Sequence, residues 1–157
     1  MDEATRKKLC SSKKTEYETP KDLYAKLHKI HKFTLDPAST KNNALCKKFF
    51  TKKENGLEQS WKGERVFLNP PYGRRVQYWI KKCHEEFKAG TKVIVALLPA
   101  RTCTKWFHQY IYKKPGVKCE FLKGRLFFTI NGKPDIDKDG KPTCAMFPSM
   151  IVTWEKK

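Results

Sequence analysis

Apolar residues at three- and four-residue spacing alternate along this chain with short unbroken apolar runs, and the two patterns mark out its elements. In "TPKDLYAKLHKI", Leu23, Leu27 and Ile30 share one helical face. Thr19 is placed to cap that helix, Pro20 suits its first position, and Asp22 stands where a capping box wants an acid. Short strands are expected in "KFTLDP", "CKKFFT" and "RVFL". Val76, Ile80, Cys83 and Phe87 predict a second helix, which Gly90 ends. "VIVALL", residues 93 to 98, is a continuous apolar run of the kind buried on both faces of a parallel sheet, and so marks a central strand. A third helix around "TKWFHQYIY" precedes three closing strands, "KCEFL", "RLFFTI" and "MIVTW". Between the last two, Asn131-Gly132 and Asp139-Gly140 are turn signals within a long exposed loop.

Strands and helices that alternate, followed by strands alone, predict an α/β fold: an open, mostly parallel sheet with an antiparallel edge. Ligands in such sheets collect at the carboxyl ends of the parallel strands. Asp36, Asn69 and the run Pro99-Ala100-Arg101 each follow a candidate strand, so three separated segments should meet at one rim. Residues 1–16 are polar, rich in lysine and without period, and read as a flexible basic arm. Residues 17–157 then form one domain, as a length of 157 residues suggests.

Composition changes this picture mainly through charge. A net +18 is the electrostatic footprint of a protein that meets a polyanion. No apolar run is long enough to span a membrane and no signal core opens the sequence, so a cytosol-like, cytoplasmic setting is expected. The six cysteines include no Cys-x-x-Cys pair, and His28 and His31 have no second ligand pair near them in sequence, so no metal is expected. "DIDKDG", residues 135 to 140, opens like a calcium loop, but Met146 occupies the position that needs a bidentate carboxylate; a polar turn is the better reading. The glycines are scattered singly, which leaves no phosphate cradle, and no nucleophile motif is present.

One stretch carries chemistry. In "VFLNPPYGRR" a strand runs into Asn69-Pro70-Pro71-Tyr72. Asn69 precedes proline and is biased to extended geometry, and neither proline has an N–H with which to continue a ladder. The Asn69 side-chain oxygen and the Pro70 carbonyl then form a pair of neutral acceptors beside an aromatic plane. They match the two N–H donors of an exocyclic amine on a flat heterocycle, which can stack on Tyr72. Such an amine is a poor nucleophile because its lone pair is delocalised into the ring. Gripping both hydrogens favours a pyramidal nitrogen, which could take a methyl group directly from a sulfonium by positioning and electrostatic fit.

In the order "YETPKDLYAKL", "FTLDPAST", "NALCKKFFT", "GLEQSW", "VFLNPPYG", "WIKKC", "LLPARTCTKWFH", "FLKGRLFF" and "FPSMIV", the chain resembles the small phage-type DNA N6-adenine methyltransferases of the Dam family, which use S-adenosylmethionine. The resemblance covers residues 17 to about 150 and implies a compact Rossmann-like methyltransferase sheet and DNA as the partner. It implies that Asn69, Pro70 and Tyr72, with Pro71 completing the tetrapeptide, hold a flipped adenine. Thr19, Pro20, Asp36, Pro37 and Ala38 would lie against the cofactor. The tetrapeptide also occurs in methyltransferases acting on RNA and on protein glutamine, and a basic DNA-binding module that kept the fold without catalysis is a further alternative. Two departures stand out: no glycine-rich loop follows Asp36, and Asn55 stands where an acid is expected, so no residue is assigned to the ribose. Arg74, Arg75, Arg101, Lys105 and Arg125 are placed for nucleic-acid contact. Trp106 joins them on the argument that it and Phe107 cannot both face the core of one helix.

Overall fold

The computed structural model describes residues 17–157, so the basic arm expected over residues 1–16 lies outside it. The elements in chain order are α1 (Lys21–His31), β1 (Leu35–Asp36), β2 (Lys48–Phe49), β3 (Arg65–Leu68), α2 (Val76–Ala89), β4 (Val93–Pro99), α3 (Lys105–Tyr110), β5 (Val117–Phe121), β6 (Thr129–Ile130), β7 (Lys133–Pro134) and β8 (Ser149–Glu155). A six-stranded sheet runs β2-β1-β3-β4-β8-β5. Its first four strands are parallel, while β8 pairs antiparallel with both β4 and β5. This is the mostly parallel α/β sheet with an antiparallel edge that the element order predicts.

The apolar run at 93 to 98 forms β4, an interior strand buried at all seven positions. Phe67, Leu68, Ile94, Leu97, Leu98, Met150 and Trp154 are fully buried around it. At roughly 1.5–3 kcal/mol for each large apolar side chain, this cluster supplies much of the driving force for folding. Helix α2 buries Val76, Trp79, Ile80, Cys83 and Glu86 on one face. Gly90 ends it in the left-handed conformation (φ 112°), with its N–H donating to the Glu86 carbonyl. The buried Glu86 carboxylate accepts from the Trp61 backbone N–H at 2.7 Å and from Lys82 Nζ at 2.6 Å, which fixes Trp61 at the base of the sheet.

Several expectations are corrected. Thr19 does not cap α1: the helix starts at Lys21 and the cap position is Pro20, with no side-chain bond to the helix, while the Thr19 hydroxyl oxygen accepts from Asn69. Ile30 is 71% exposed. Leu23 and Leu27 keep the expected face and, with Tyr24, pack half-buried against the core; the Tyr24 ring meets Phe33 and Phe67, and the rings of His28 and His31 also pack on Phe33. "RLFFTI" contributes nothing to the main sheet. Only Thr129 and Ile130 are extended, and they pair with Lys133–Pro134 in a separate hairpin. Asn131 and Gly132, both at positive φ, make its tight turn, and Thr129 is bridged on its other side by Glu18. In "DIDKDG", the Asp137 carboxylate accepts the N–H groups of Asp139 and Lys141, as a polar turn does. Trp106 is 8% and Phe107 4% exposed, so neither is presented to solvent. Helix α3 spans six residues and packs against α2, and the Phe107 ring meets those of Trp106, His108 and Tyr112; with two adjacent positions buried, more than one of its faces is covered.

Candidate active site

Three strand ends form one rim. Leu35 pairs with Val66, which sets Asp36 beside Phe67, two residues short of Asn69. β3 pairs with β4 through Leu68 and Ala96, and the Ala100 N–H donates to the Pro148 carbonyl at the same end of the sheet. The predicted residues Asp36, Pro37, Ala38, Asn69, Pro70, Pro71, Tyr72 and Arg101 thus gather at the carboxyl edge of the parallel strands.

Asn69 carries the distinctive feature of this rim. Its Nδ2 donates to the Tyr17 carbonyl at 2.6 Å and to Thr19 Oγ1 at 3.1 Å. Its Oδ1 is buried and has no hydrogen-bond partner. An unpaired buried acceptor costs about 1–3 kcal/mol. Ser39 Oγ, Ser149 Oγ and Trp154 Nε1 are also buried without a partner; Asn69 Oδ1 differs in lying on the Asn-Pro-Pro-Tyr loop at the rim, where a ligand N–H would complete it. Thr19, 8% exposed, is brought to the site as a partner of Asn69.

Tyr72 does not lie open. It is 3% exposed and its hydroxyl donates to the Leu97 carbonyl at 3.2 Å, tying the Asn-Pro-Pro-Tyr loop to β4. Burial raises its pKa well above the usual phenol value, so it stays a neutral donor. Tyr17 lies 5.6 Å from it at 32° between planes, and Phe147 and Phe128 meet it edge-on at 5.5 and 6.2 Å. Stacking of a base on Tyr72 therefore requires one of these rings to yield its place.

Asp36 is 4% exposed, and burial raises its pKa from 3.8 to about 6 against the pull of the Leu45 and Ala38 N–H groups. Its oxygens accept from those two amides at 3.2 and 3.4 Å, so the side chain shapes the 37–45 loop. Both of these donors are neutral, and above pH about 6 the carboxylate gives the rim a buried negative charge suited to a cationic ligand. Pro37 is floored by Gly56, where an added Cβ would lie 2.1 Å from the Pro37 carbonyl oxygen. Trp61, fully buried, holds that glycine by donating from Nε1 to its carbonyl at 3.0 Å.

Arg74, Arg75 and Lys105 are exposed beside the rim and Arg101 is half-buried. Arg125 is exposed, with Nη1 3.5 Å from the Ala145 carbonyl. Trp106, being buried, is removed from the set expected to meet nucleic acid. Tyr17 and Glu18 beside Asn69 and Gly56 beneath Pro37, with Trp61 supporting Gly56 from the core, do not stand out in the sequence. The signal for Gly56 and Trp61 lay in "GLEQSW", a segment without chemistry of its own.

Among the described residues, no group of three or more His, Cys, Asp or Glu side chains could hold a metal ion, and no helix is long and apolar enough to cross a membrane. The family model for DNA N-6-adenine-methyltransferase (Dam) matches residues 6–156. A DNA N-6-adenine-methyltransferase of Escherichia phage T1 is 36% identical over 93 residues, which is 58% of this chain and 38% of that protein. The enzyme of the same description from Haemophilus phage HP1 is 30% identical over 135 residues, 85% of this chain and 73% of its own length. The match thus spans well under half of the phage T1 protein and about three quarters of the phage HP1 one.

Proposed function

Since the chain belongs to the Dam family of DNA N-6-adenine-methyltransferases, we propose that it transfers a methyl group from S-adenosylmethionine to the exocyclic N6 amine of adenine in DNA, on a base turned out of the duplex. The observation that carries this reading is the buried Asn69 Oδ1 without a partner. It is a neutral acceptor, and so it holds an amine hydrogen without taking it as a base would. The Pro70 carbonyl is the acceptor for the second hydrogen. With both hydrogens held, the lone pair of the nitrogen is turned out of conjugation with the ring; as the N–C bond would form, the methyl–sulfur bond would break, leaving a neutral thioether, and the surplus proton of the methylated amine would pass to solvent.

S-adenosylmethionine, when bound, supplies a methyl carbon activated by a positively charged sulfur. The chain offers Asp36, Pro37 and Ala38 at the end of β1 to hold it, with Thr19 and Pro20 nearby on the segment that braces Asn69. The Asp36 charge, buried and ionised near neutral pH, complements a cation. Binding energy here goes into position, and a well-oriented pair of reactants gains about 7–11 kcal/mol over free encounter. Extruding the base costs a few kcal/mol, which stacking and phosphate contacts offset. Arg74 and Arg75 directly after the loop, with Arg101, Lys105 and Arg125, supply the phosphate contacts. A cytoplasmic setting accords with a DNA substrate.

The test is transfer of labelled methyl groups from S-adenosylmethionine to unmethylated DNA, with RNA and protein acceptors run in parallel. Incorporation at adenine N6 that disappears in Asn69→Ala is the expected result. Salt-sensitive DNA binding with neither cofactor binding nor transfer would instead mark a binding module on this fold.

A further inference from the structure

We infer that Glu18 and Thr19 are positioning residues for Asn69: together with the Tyr17 carbonyl they form a clamp that sets which way the Asn69 amide faces. This rests on the reading of Asn69 as the acceptor for the target amine. A side-chain amide can sit in two orientations related by a half-turn, and only one leaves the oxygen towards the ligand. Here both Nδ2 hydrogens are taken, one by the Tyr17 carbonyl at 2.6 Å and one by Thr19 Oγ1 at 3.1 Å. In the reversed orientation Oδ1 would face the Tyr17 carbonyl, which has no hydrogen to give, and the NH2 group would be buried where the free acceptor now lies. The clamp therefore selects the catalytically useful state before any substrate arrives.

Glu18 holds the clamp in place from behind. Its backbone N–H donates to the Thr129 carbonyl at 3.0 Å. Its carboxylate accepts from Thr129 Oγ1 at 2.8 Å and from the Gly132 N–H at 3.0 Å. The segment 17–19 is thus fastened to the β6–β7 turn by backbone and side chain at once, 111 residues further along the chain.

The experiment uses the full chain with Thr19→Val, Thr19→Ser and Glu18→Ala. Methyl transfer to DNA is measured at saturating cofactor, cofactor affinity by calorimetry, and the Asn69 side-chain N–H signals by nitrogen-15 NMR without substrate. Thr19→Val keeps the shape and loses the acceptor. Its kcat should fall about three- to tenfold, the effect of losing one neutral hydrogen bond, with cofactor affinity little changed and the Asn69 Nδ2 protons no longer protected from exchange. Thr19→Ser should recover most of the lost rate and the protection. Glu18→Ala should loosen the same Asn69 signals from a distance. Unchanged Asn69 signals and unchanged kcat in Thr19→Val overturn the clamp, as does a loss confined to cofactor affinity, which would make Thr19 a cofactor contact only. The NMR arm needs no turnover, so a protein that clamps Asn69 but transfers nothing refutes the methyltransferase reading and leaves the clamp standing.

Discussion

Replacing Asp36 with asparagine tests whether the rim holds a buried charge at a cost to folding. The carboxyl is 4% exposed and titrates at about 6 in place of 3.8, raised chiefly by burial and partly restrained by the Leu45 and Ala38 N–H groups. The folded state therefore holds this proton more tightly than the unfolded chain. Its contribution to stability is full below 3.8, declines as pH rises from 3.8 through about 6, and is lost above that. A shift of this size corresponds to about 3 kcal/mol of stability forgone at neutral pH. The amide introduced by Asp36→Asn cannot ionise, so the variant escapes that decline. It carries instead a constant offset of about 1–3 kcal/mol, because the new NH2 group meets one of two backbone N–H groups that both need an acceptor. Urea unfolding of the two proteins at a series of pH values from about 4 to 7.5 isolates the effect, since every other titration cancels in the difference. The stability of Asp36→Asn relative to the unsubstituted protein should rise by about 3 kcal/mol across the window from 3.8 to about 6 and stay level above it. A difference that does not change with pH, or that falls as pH rises, would refute the account of Asp36 as a desolvated carboxylate.

The other predictions concern packing, the loop and charge. Gly56→Ala places a methyl group 2.1 Å from the Pro37 carbonyl oxygen, so it should lower stability by about 1–3 kcal/mol or more and weaken S-adenosylmethionine binding by displacing Pro37 and Ala38; melting and calorimetry read both. Tyr72→Phe keeps the ring but loses the hydrogen bond to the Leu97 carbonyl, at a cost of about 0.5–1.5 kcal/mol in denaturant unfolding. Asn69→Ala removes the free acceptor and should cut methyl transfer by at least about a hundredfold, with DNA binding retained. Arg74→Ala and Arg75→Ala should each lower the slope of log affinity against log salt by about 1, equally for all DNA sequences.

The sequence by itself determined the parts of this protein that depend on neighbours along the chain. The apolar run of β4, the helical spacing of α2 and the stop at Gly90 are local patterns, and the fold keeps all three. The order of elements was enough to place Asp36, Asn69 and Arg101 at strand ends on one rim, because parallel connections leave few arrangements. The Asn-Pro-Pro-Tyr loop was likewise legible, since proline restricts its own backbone and that of the residue before it. Tertiary structure decided what local pattern cannot encode. Thr19 reads as a helix cap along the chain, yet α1 starts one residue too late for it and its hydroxyl meets Asn69, 50 residues away. Trp106 and Phe107 are both buried because a short helix is covered on more than one side, and Tyr72 is buried because Tyr17, Phe128 and Phe147 arrive from distant segments. The free oxygen of Asn69 belongs to the same class. Any asparagine has one, but only folding takes it out of water, ties down the nitrogen beside it and leaves the oxygen without a partner.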